Sequence, residues 1–596
     1  MKLNKEKRWP APIGCSEIIR TAIAMALTLV CGFAAASEGQ PKCDATVAQL
    51  LSEKGVASVK VLIRFGHPPS AKELGALRNH RAEVYRKLGL IDSVAATIRQ
   101  DRLAELVRLP FVKHVSADAE VRKTDAFTVN SSEANVAWQK YGLSGAGVAV
   151  AVIDSGVGQQ LDFDGSNGSL LGGVTGLLSS RVLTQVGFVP GDGVNDDCGH
   201  GTHVAGIIAG NGASSSGVLC FNTYYGCAPL ANIVSVKVLN AQGAGTVSQV
   251  ISGIQWVVAN KAKYKIGVIN LSLGHPVGES YANDPLCQAV EAAWKSGIVV
   301  VCAAGNDGRL NANPTAGAPN GGYGANYGSI EVPGNDPYVI TVGAMKSMDG
   351  QRADDQVATY SSRGPSIFDY VLKPDIVAPG NQVISVEQSN AYLVKSYQAT
   401  NRVPYSAYTL SLTPSASSNN YFKLSGTSMA TPVVCAAAAL MLQQSPSLSP
   451  DTIKLRLMAT ADKWTDPYGN ADACTYGAGY LNIPAACGSN LVATQPALSP
   501  YLSLDASGNV FVNYYGNVDW DRAIWGTSSV ESMQAIWGKM AIWGSGTLSS
   551  SNAIWGRSFW GGSSTTTISS AGVDLSAGSI ALQGETAAAT TAIARP

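Results

Sequence analysis

The chain has 596 residues, too many for one hydrophobic core. Only 14% are charged, 46% are apolar and 63 are glycine, a globular, loop-rich composition that excludes an intrinsically disordered protein. The formal net charge is zero, so nothing favours nucleic acid or an anionic membrane as a partner. The 11 cysteines include no CxxC pair and are too few for a disulfide scaffold at this length.

Residues 1–36 read as a secretory signal. Lys2, Lys5, Lys7, Arg8 and Arg20 give a long positive start, Thr21 to Phe33 is apolar, and Ala34-Ala35-Ala36 supplies the small residues of a cleavage site. The apolar stretch is short for a membrane span, which needs about 20 residues; an uncleaved anchor is the alternative. Export would place the cysteines in an oxidising compartment.

Residues 43–122 form a separate, more charged unit. Ser58–Phe65 alternates as a strand, Ala71–Leu88 has helical periodicity, Ser93–Ile98 is a second strand, Arg102–Val107 is helical before Pro110, and Val112–Val115 is a final strand. That order suits a small, ferredoxin-like α+β sandwich.

From about residue 130 the composition shifts to Gly, Ala, Ser and Val. Val148–Ile153 is an unbroken apolar run, as in a strand covered on both faces, and ends at Asp154-Ser155-Gly156. His200–Gly210 reads as a helix with a small-residue face. Strands at 234–239, 267–274, 298–304 and 338–343 alternate with helices at 247–260 and 288–294. This is the pattern of an α/β domain, a mostly parallel sheet flanked by helices with its site at the strand C-termini. Residues 382–421 are polar and read as an insertion. At Leu424–Pro432 a Gly-rich turn ends in Ser428 and leads into an apolar helix, Val433–Leu442. A helix apolar all round is buried, so its first turn holds a hydroxyl and free N–H groups at the edge of a core. The domain, 130–490, closes near Cys487. Residues 497–596 are an extension, expected to be β-rich or partly disordered. In it Ala-Ile-Trp-Gly recurs at 523, 535, 541 and 553. The repeats read as turn units packing a small domain, as a surface for cell envelope or carbohydrate, or as a disordered tail.

A serine nucleophile needs a base, and the base an orienting group. After residue 122 the only histidines are His200, His203 and His275. Asp154, a histidine of the 200–203 pair and Ser428 stand in the order Asp, His, Ser, one of the three orders in which this triad is known. Spacing alone does not choose between His200 and His203.

The three contexts, Val152-Ile153-Asp154-Ser155-Gly156, His200-Gly201-Thr202-His203-Val204-Ala205-Gly206 and Gly426-Thr427-Ser428-Met429-Ala430-Thr431-Pro432, resemble the signature blocks of the subtilisin-like serine peptidases. Ala303-Ala304-Gly305-Asn306 is similar to that family's oxyanion-hole block, and Ser361–Pro365 and Lys373–Gly380 match further motifs. The resemblance covers about 130–490, and residues 58–122 are similar in pattern to the family's inhibitory propeptide. It implies a secreted endopeptidase acting on polypeptides and made as a self-processing zymogen, cut between about 119 and 130. Ser428 would be the nucleophile, His200 the general base, Asp154 its orienting partner and Asn306 an oxyanion donor. Substrate would add a strand between Ser272-Leu273-Gly274 and Gly243-Ala244-Gly245, beside Ala304. The side-chain pocket would be shaped by the loops 303–306 and 321–333.

No cofactor is needed for that chemistry. Structural calcium, frequent in the family, points to Asp192, Asp196 and Asp197, which read equally as a solvated loop. Cys198 with His200 and His203 is a weaker metal reading, lacking zinc-site spacing. Cys220–Cys227 and Cys474–Cys487 are candidate disulfides, with Cys198 an alternative partner for either of the first two. Cys302 and Cys435, in apolar runs, are expected as buried thiols. The rival to an enzyme is a non-catalytic surface or binding protein on the same scaffold.

Overall fold

The computed structural model describes residues 42–52, 58–118, 120–123, 132–165, 180–216, 220, 222–346, 352–409, 417–465, 472–504 and 510–513. The signal-like segment and the Ala-Ile-Trp-Gly repeats lie outside them.

The first unit contains helix α1 (Ala45–Ser52), strand β1 (Ser58–Phe65), helix α2 (Ala71–Asn79), strands β2 (Glu83–Leu88) and β3 (Ser93–Arg99), helix α3 (Leu103–Val107) and strand β4 (Val112–Ala117). The sheet is antiparallel in the order β2-β3-β1-β4. Val61, Ile63, Leu77, Val94, Leu103 and Val115 belong to its own apolar core. The helix expected over 71–88 is shorter than the sequence suggested. α2 is opened by a Ser70–Glu73 capping box and stops at Asn79. Arg81 then takes a left-handed φ of 59°, and Glu83–Leu88 pairs with β3. Its Glu, Lys and Arg residues fit an exposed helix face and a half-buried edge strand equally well, and pairing with β3 decided between them.

The larger unit is built on a sheet in the order β14-β13-β12-β10-β6-β8-β7, with β15 also paired to β13. These strands are β6 (Ala149–Asp154), β7 (Val182–Gly187), β8 (Asn232–Lys237), β10 (Ile266–Leu271), β12 (Val299–Ala303), β13 (Ile340–Lys346), β14 (Gln356–Val357) and β15 (Ile376–Pro379). All pairs are parallel except β13–β14. Every residue of β6 is buried, as an apolar run covered on both faces requires. Helices α4 (Ala134–Tyr141), α5 (His200–Ala209), α6 (Val247–Tyr264), α7 (Pro285–Lys295), α9 (Thr427–Gln444) and α10 (Pro450–Ala459) flank it. α9 is buried from Thr427 through Leu442 and packs against α5, β10, β12 and β13.

Residues 382–421 are more ordered than a polar insertion suggests. β16 (Val383–Val386), β17 (Arg402–Pro404) and β18 (Ser417–Leu424) form an antiparallel sheet in the order β16-β18-β17. Helix α8 (Tyr392–Asn401) lies between β16 and β17 in the chain. Its first two N–H groups bond the carbonyls of Asp197 and Cys198 at 2.8 and 3.0 Å.

The body also extends past its expected end. Lys454, fully buried on α10, donates to the carbonyls of Pro337, Tyr338 and Val339 and to Ser499 Oγ. Ser499 Oγ also donates to Asp375, which pairs with Lys373 at 2.7 Å. A buried ammonium must be surrounded by acceptors, and Ser499 is one of them. Residues 497–500 therefore belong to the body, followed by the hairpin of β19 (Tyr501–Leu504) and β20 (Val510–Asn513).

Candidate active site

Asp154 ends β6 and His200 is the first residue of α5, both at the C-terminal edge of the sheet. His200 Nδ1 donates to Asp154 Oδ1 at 2.8 Å and lies 2.9 Å from Oδ2. The approach is close: a Cβ on Gly201 would stand 2.1 Å from the Gly156 carbonyl oxygen, so only glycine lets α5 start here. Asp196 fastens the arrangement, accepting from Ser155 Oγ, Gly199 N, Thr202 N and Thr202 Oγ1. His203, one turn along, is a different residue chemically. Its Nε2 faces the carbonyls of Phe422 and Val383 at 3.0 and 3.2 Å, and burial pushes its pKa down to about 3. Of these two histidines, only His200 reaches a carboxylate.

Ser428 is the second residue of α9, after Gly426 with a φ of 128°. Its Oγ donates to the Ser272 carbonyl at 3.3 Å. The motif's Pro432 explains how the back of the site is tied. A proline has no N–H to give the carbonyl four residues earlier, so the Ser428 carbonyl is left for Ser272 Oγ, which bonds it at 2.7 Å. Asn270 Nδ2 donates to that Oγ at 2.9 Å, and Cys435 Sγ reaches Asn270 Oδ1 at 3.4 Å. A small chain of hydrogen bonds thus joins the nucleophile's helix to the sheet edge.

On the other side, Asn306 Oδ1 accepts from Thr427 N at 3.0 Å, which turns its amide nitrogen away from the helix. Asn306 Nδ2 and His200 Nε2 are both buried without a hydrogen-bond partner. Buried polar groups are nearly always paired, and two open ones beside one serine mark where another molecule's atoms belong. An open imidazole nitrogen, a serine hydroxyl and an open amide suit attack on a carbonyl with the oxyanion held by N–H groups.

The flanking edges hold a strand. β5 (Glu120–Lys123) lies between β11 (Leu273–Gly274) and β9 (Ala244–Thr246), antiparallel to both. Arg122 is opposite Gly274 and Lys123 opposite Leu273; Val121 is opposite Gly245 and Arg122 opposite Ala244. The chain's own β5 thus occupies the gap between these two edges, with Gly243 in the turn before β9. Ala304 lies behind, its N–H bonding the Val342 carbonyl and its own carbonyl accepting from Glu331 N. The first unit also clasps the second through side chains. Asp118 accepts from Ser248 N and Oγ at the start of α6. Glu279 accepts from Ser116 Oγ at 2.7 Å and contacts His114 Nε2.

Three expectations change. The oxygens of Asp192 and Asp197 are held by the buried Lys237 ammonium at 3.1 and 2.8 Å, and Asp196 is saturated by its four donors, so these residues do not fit a calcium ion. Among the described residues no group of three or more His, Cys, Asp or Glu is placed to hold a metal. Cys220, Cys227, Cys474 and Cys487 are free thiols, so neither local disulfide is formed. Cys227 instead reaches Ser132 Oγ at 3.0 Å, while Cys302 and Cys435 are buried thiols as expected.

Residues 145–480 match the family model described as the subtilase family. The chain is 35% identical over 413 residues to serine protease AprX of Bacillus subtilis (strain 168), spanning 68% of this chain and 81% of that one. It is also 35% identical over 349 residues to subtilisin DY of Bacillus licheniformis, covering 58% and 93% of the two. In fold it is similar to fervidolysin of Fervidobacterium pennivorans, a keratinolytic enzyme related to subtilisin, with a TM-score of 0.52 at 21% identity. That likeness covers 77% of this chain and 65% of that protein. With a subtilase match across more than half its length and subtilisin relatives above 30% identity, the chain belongs to the subtilase family as a subtilisin-like serine endopeptidase.

Proposed function

We propose that this endopeptidase is secreted and works through an Asp154–His200–Ser428 triad, made as a zymogen that cuts itself. His200 takes the Ser428 proton as the hydroxyl attacks a peptide carbonyl, then gives it to the leaving amine. Asp154 holds Nδ1–H and stabilises the imidazolium. Asn306 Nδ2 and the Ser428 N–H bind the oxyanion. The observation that carries the reading is the Asp154–His200 pair at 2.8 Å with His200 Nε2 left open. Zymogen processing is supported by β5, which lies as a peptide strand in the cleft while still part of the first unit. Secretion is supported by the pattern of residues 1–36; no described helix is long and apolar enough to cross a membrane.

Expression in a protease-free host tests this. The wild-type precursor should be cut between about 119 and 130 and hydrolyse casein, with hydrolysis abolished by a serine-directed covalent inhibitor. Ser428→Ala should leave the precursor whole and inactive. Maturation of the Ser428→Ala chain in that host would overturn self-processing.

A further inference from the structure

One acid that the triad does not use lies against the substrate-pairing strand β11 and the turn before Asn306. Glu331 follows the Gly/Asn/Tyr-rich loop and lies between the two walls of the cleft. A Cβ built on Gly274, on the substrate-pairing strand β11, would come 2.4 Å from Glu331 Oε2. A Cβ built on Gly305, just before Asn306, would come 2.8 Å from Glu331 Cγ. Both positions are glycine, and the Glu331 side chain rests on their bare backbones. Its own backbone is anchored by the N–H bond to Ala304 and a carbonyl that accepts from Asn335 N. The residue is partly exposed, yet Oε2 is shut off from solvent and has no hydrogen-bond partner. Among the described residues no arginine, lysine or histidine pairs with it. The one charged group acting on it is another acid, Asp307, next to Asn306; Asp307 N is held by Ser362 Oγ at 2.9 Å.

A buried carboxyl without a cation is costly, and burial together with Asp307 pushes the Glu331 pKa well up. A cation brought by another molecule would relieve that cost. The geometry says which part of a substrate would bring it. β5 pairs Lys123 with Leu273, so a peptide in this register sets its next residue opposite Ser272, whose carbonyl holds Ser428 Oγ. The carbonyl of that residue would face Ser428 Oγ, and its side chain would enter the gap between β11 and the 303–306 turn.

We propose that Glu331, with Asp307 at the rim, makes this pocket a receptor for a cationic side chain, so that the mature enzyme cleaves other chains preferentially after arginine or lysine, while its own strand, whose next residue in this register is Thr124, is cut by intramolecular proximity without that contact. This rests on the endopeptidase reading above. Glu331 is a specificity residue: it binds the side chain before the scissile bond and takes no part in proton transfer.

The test uses the mature enzyme with a set of peptide 4-nitroanilides that differ only in the residue before the cleaved bond: Arg, Lys, Phe, Leu and Ala. The expected result is a kcat/KM for Arg and Lys roughly 10–100-fold above that for Phe, the scale of a charge-assisted hydrogen bond. Glu331→Gln keeps the shape and removes the charge, so it should collapse the Arg-to-Phe ratio toward one. Titration with a serine-directed inhibitor counts folded sites in each preparation. Wild-type preference for Phe or Leu overturns the proposal, as does a preference for Ala, which would mean that Glu331 merely fills the pocket. An Arg preference unchanged in Glu331→Gln would also overturn it. If no peptide is cleaved and no inhibitor is bound, the endopeptidase reading itself fails.

Discussion

The polar atoms on the two sides of Ser428 are treated in opposite ways. Behind it, every contact is closed: the Ser428 carbonyl takes Ser272 Oγ, Ser272 takes Asn270, and Asn270 takes Cys435. In front, three buried atoms are open: His200 Nε2, Asn306 Nδ2 and Glu331 Oε2. A fold hides unpaired polar groups only at a cost of about 1–3 kcal/mol each. The closed side fixes geometry; the open side stores binding capacity that only a substrate or its transition state can use.

This contrast is broken most severely at Asn306. Asn306→Ala removes the open amide and should lower kcat by about 10²–10³ with KM nearly unchanged, because the donor acts on charge that develops in the reaction. Equal losses in kcat and affinity for ground-state peptides would show that the amide binds substrate uniformly. The closed side gives a smaller effect of another kind. Ser272→Ala leaves the Ser428 carbonyl and Asn270 Nδ2 unpaired, and should cost about 1–3 kcal/mol of stability. Thermal unfolding would read this as a lowered Tm, along with a fall in kcat that extra substrate does not restore. The smallest effect concerns His203, one turn along α5 from His200, whose Nε2 faces two carbonyls while its Nδ1 is buried without a partner. Its folded pKa of about 3 lies below the ordinary histidine value. Between these two values the unfolded chain binds the extra proton, so the stability is full above about pH 6.5 and drains as pH falls toward about 3. His203→Gln removes that titration. Denaturation midpoints measured at a series of pH values should fall less steeply in the variant on the acid side of 6.5.

What was legible in the sequence follows the same division. Asp154, His200, Ser428 and Asn306 sit in short local motifs, and each is placed by the element it starts or ends. The edges 272–274 and 243–245, which flank β5, also lie in short local segments. The ties of the closed side depend on distant partners, yet one was in plain view: Pro432 stands four residues after Ser428 and so frees its carbonyl. Glu331 carried no local signal, since its meaning comes from lying against Gly274 and Gly305, which are far away in the chain. Asp192 and Asp197 looked like cation ligands because the sequence does not reveal that Lys237 folds beneath them. The expected disulfides failed similarly: closeness in sequence did not bring the sulfurs together. β2 was missed because a charged edge strand and a charged helix share a composition, and Ser499 because its role is set by a lysine on α10.

Lys237 has one more consequence. A metal ion that braces a loop is borrowed from the medium, with a dissociation constant and a lifetime. The ammonium between Asp192 and Asp197 is attached to β8 by four carbons. It arrives when the strand folds and cannot be diluted away or captured by a chelator. The loop leading to His200 therefore carries an internal counterion at fixed stoichiometry, in place as soon as the strand has folded.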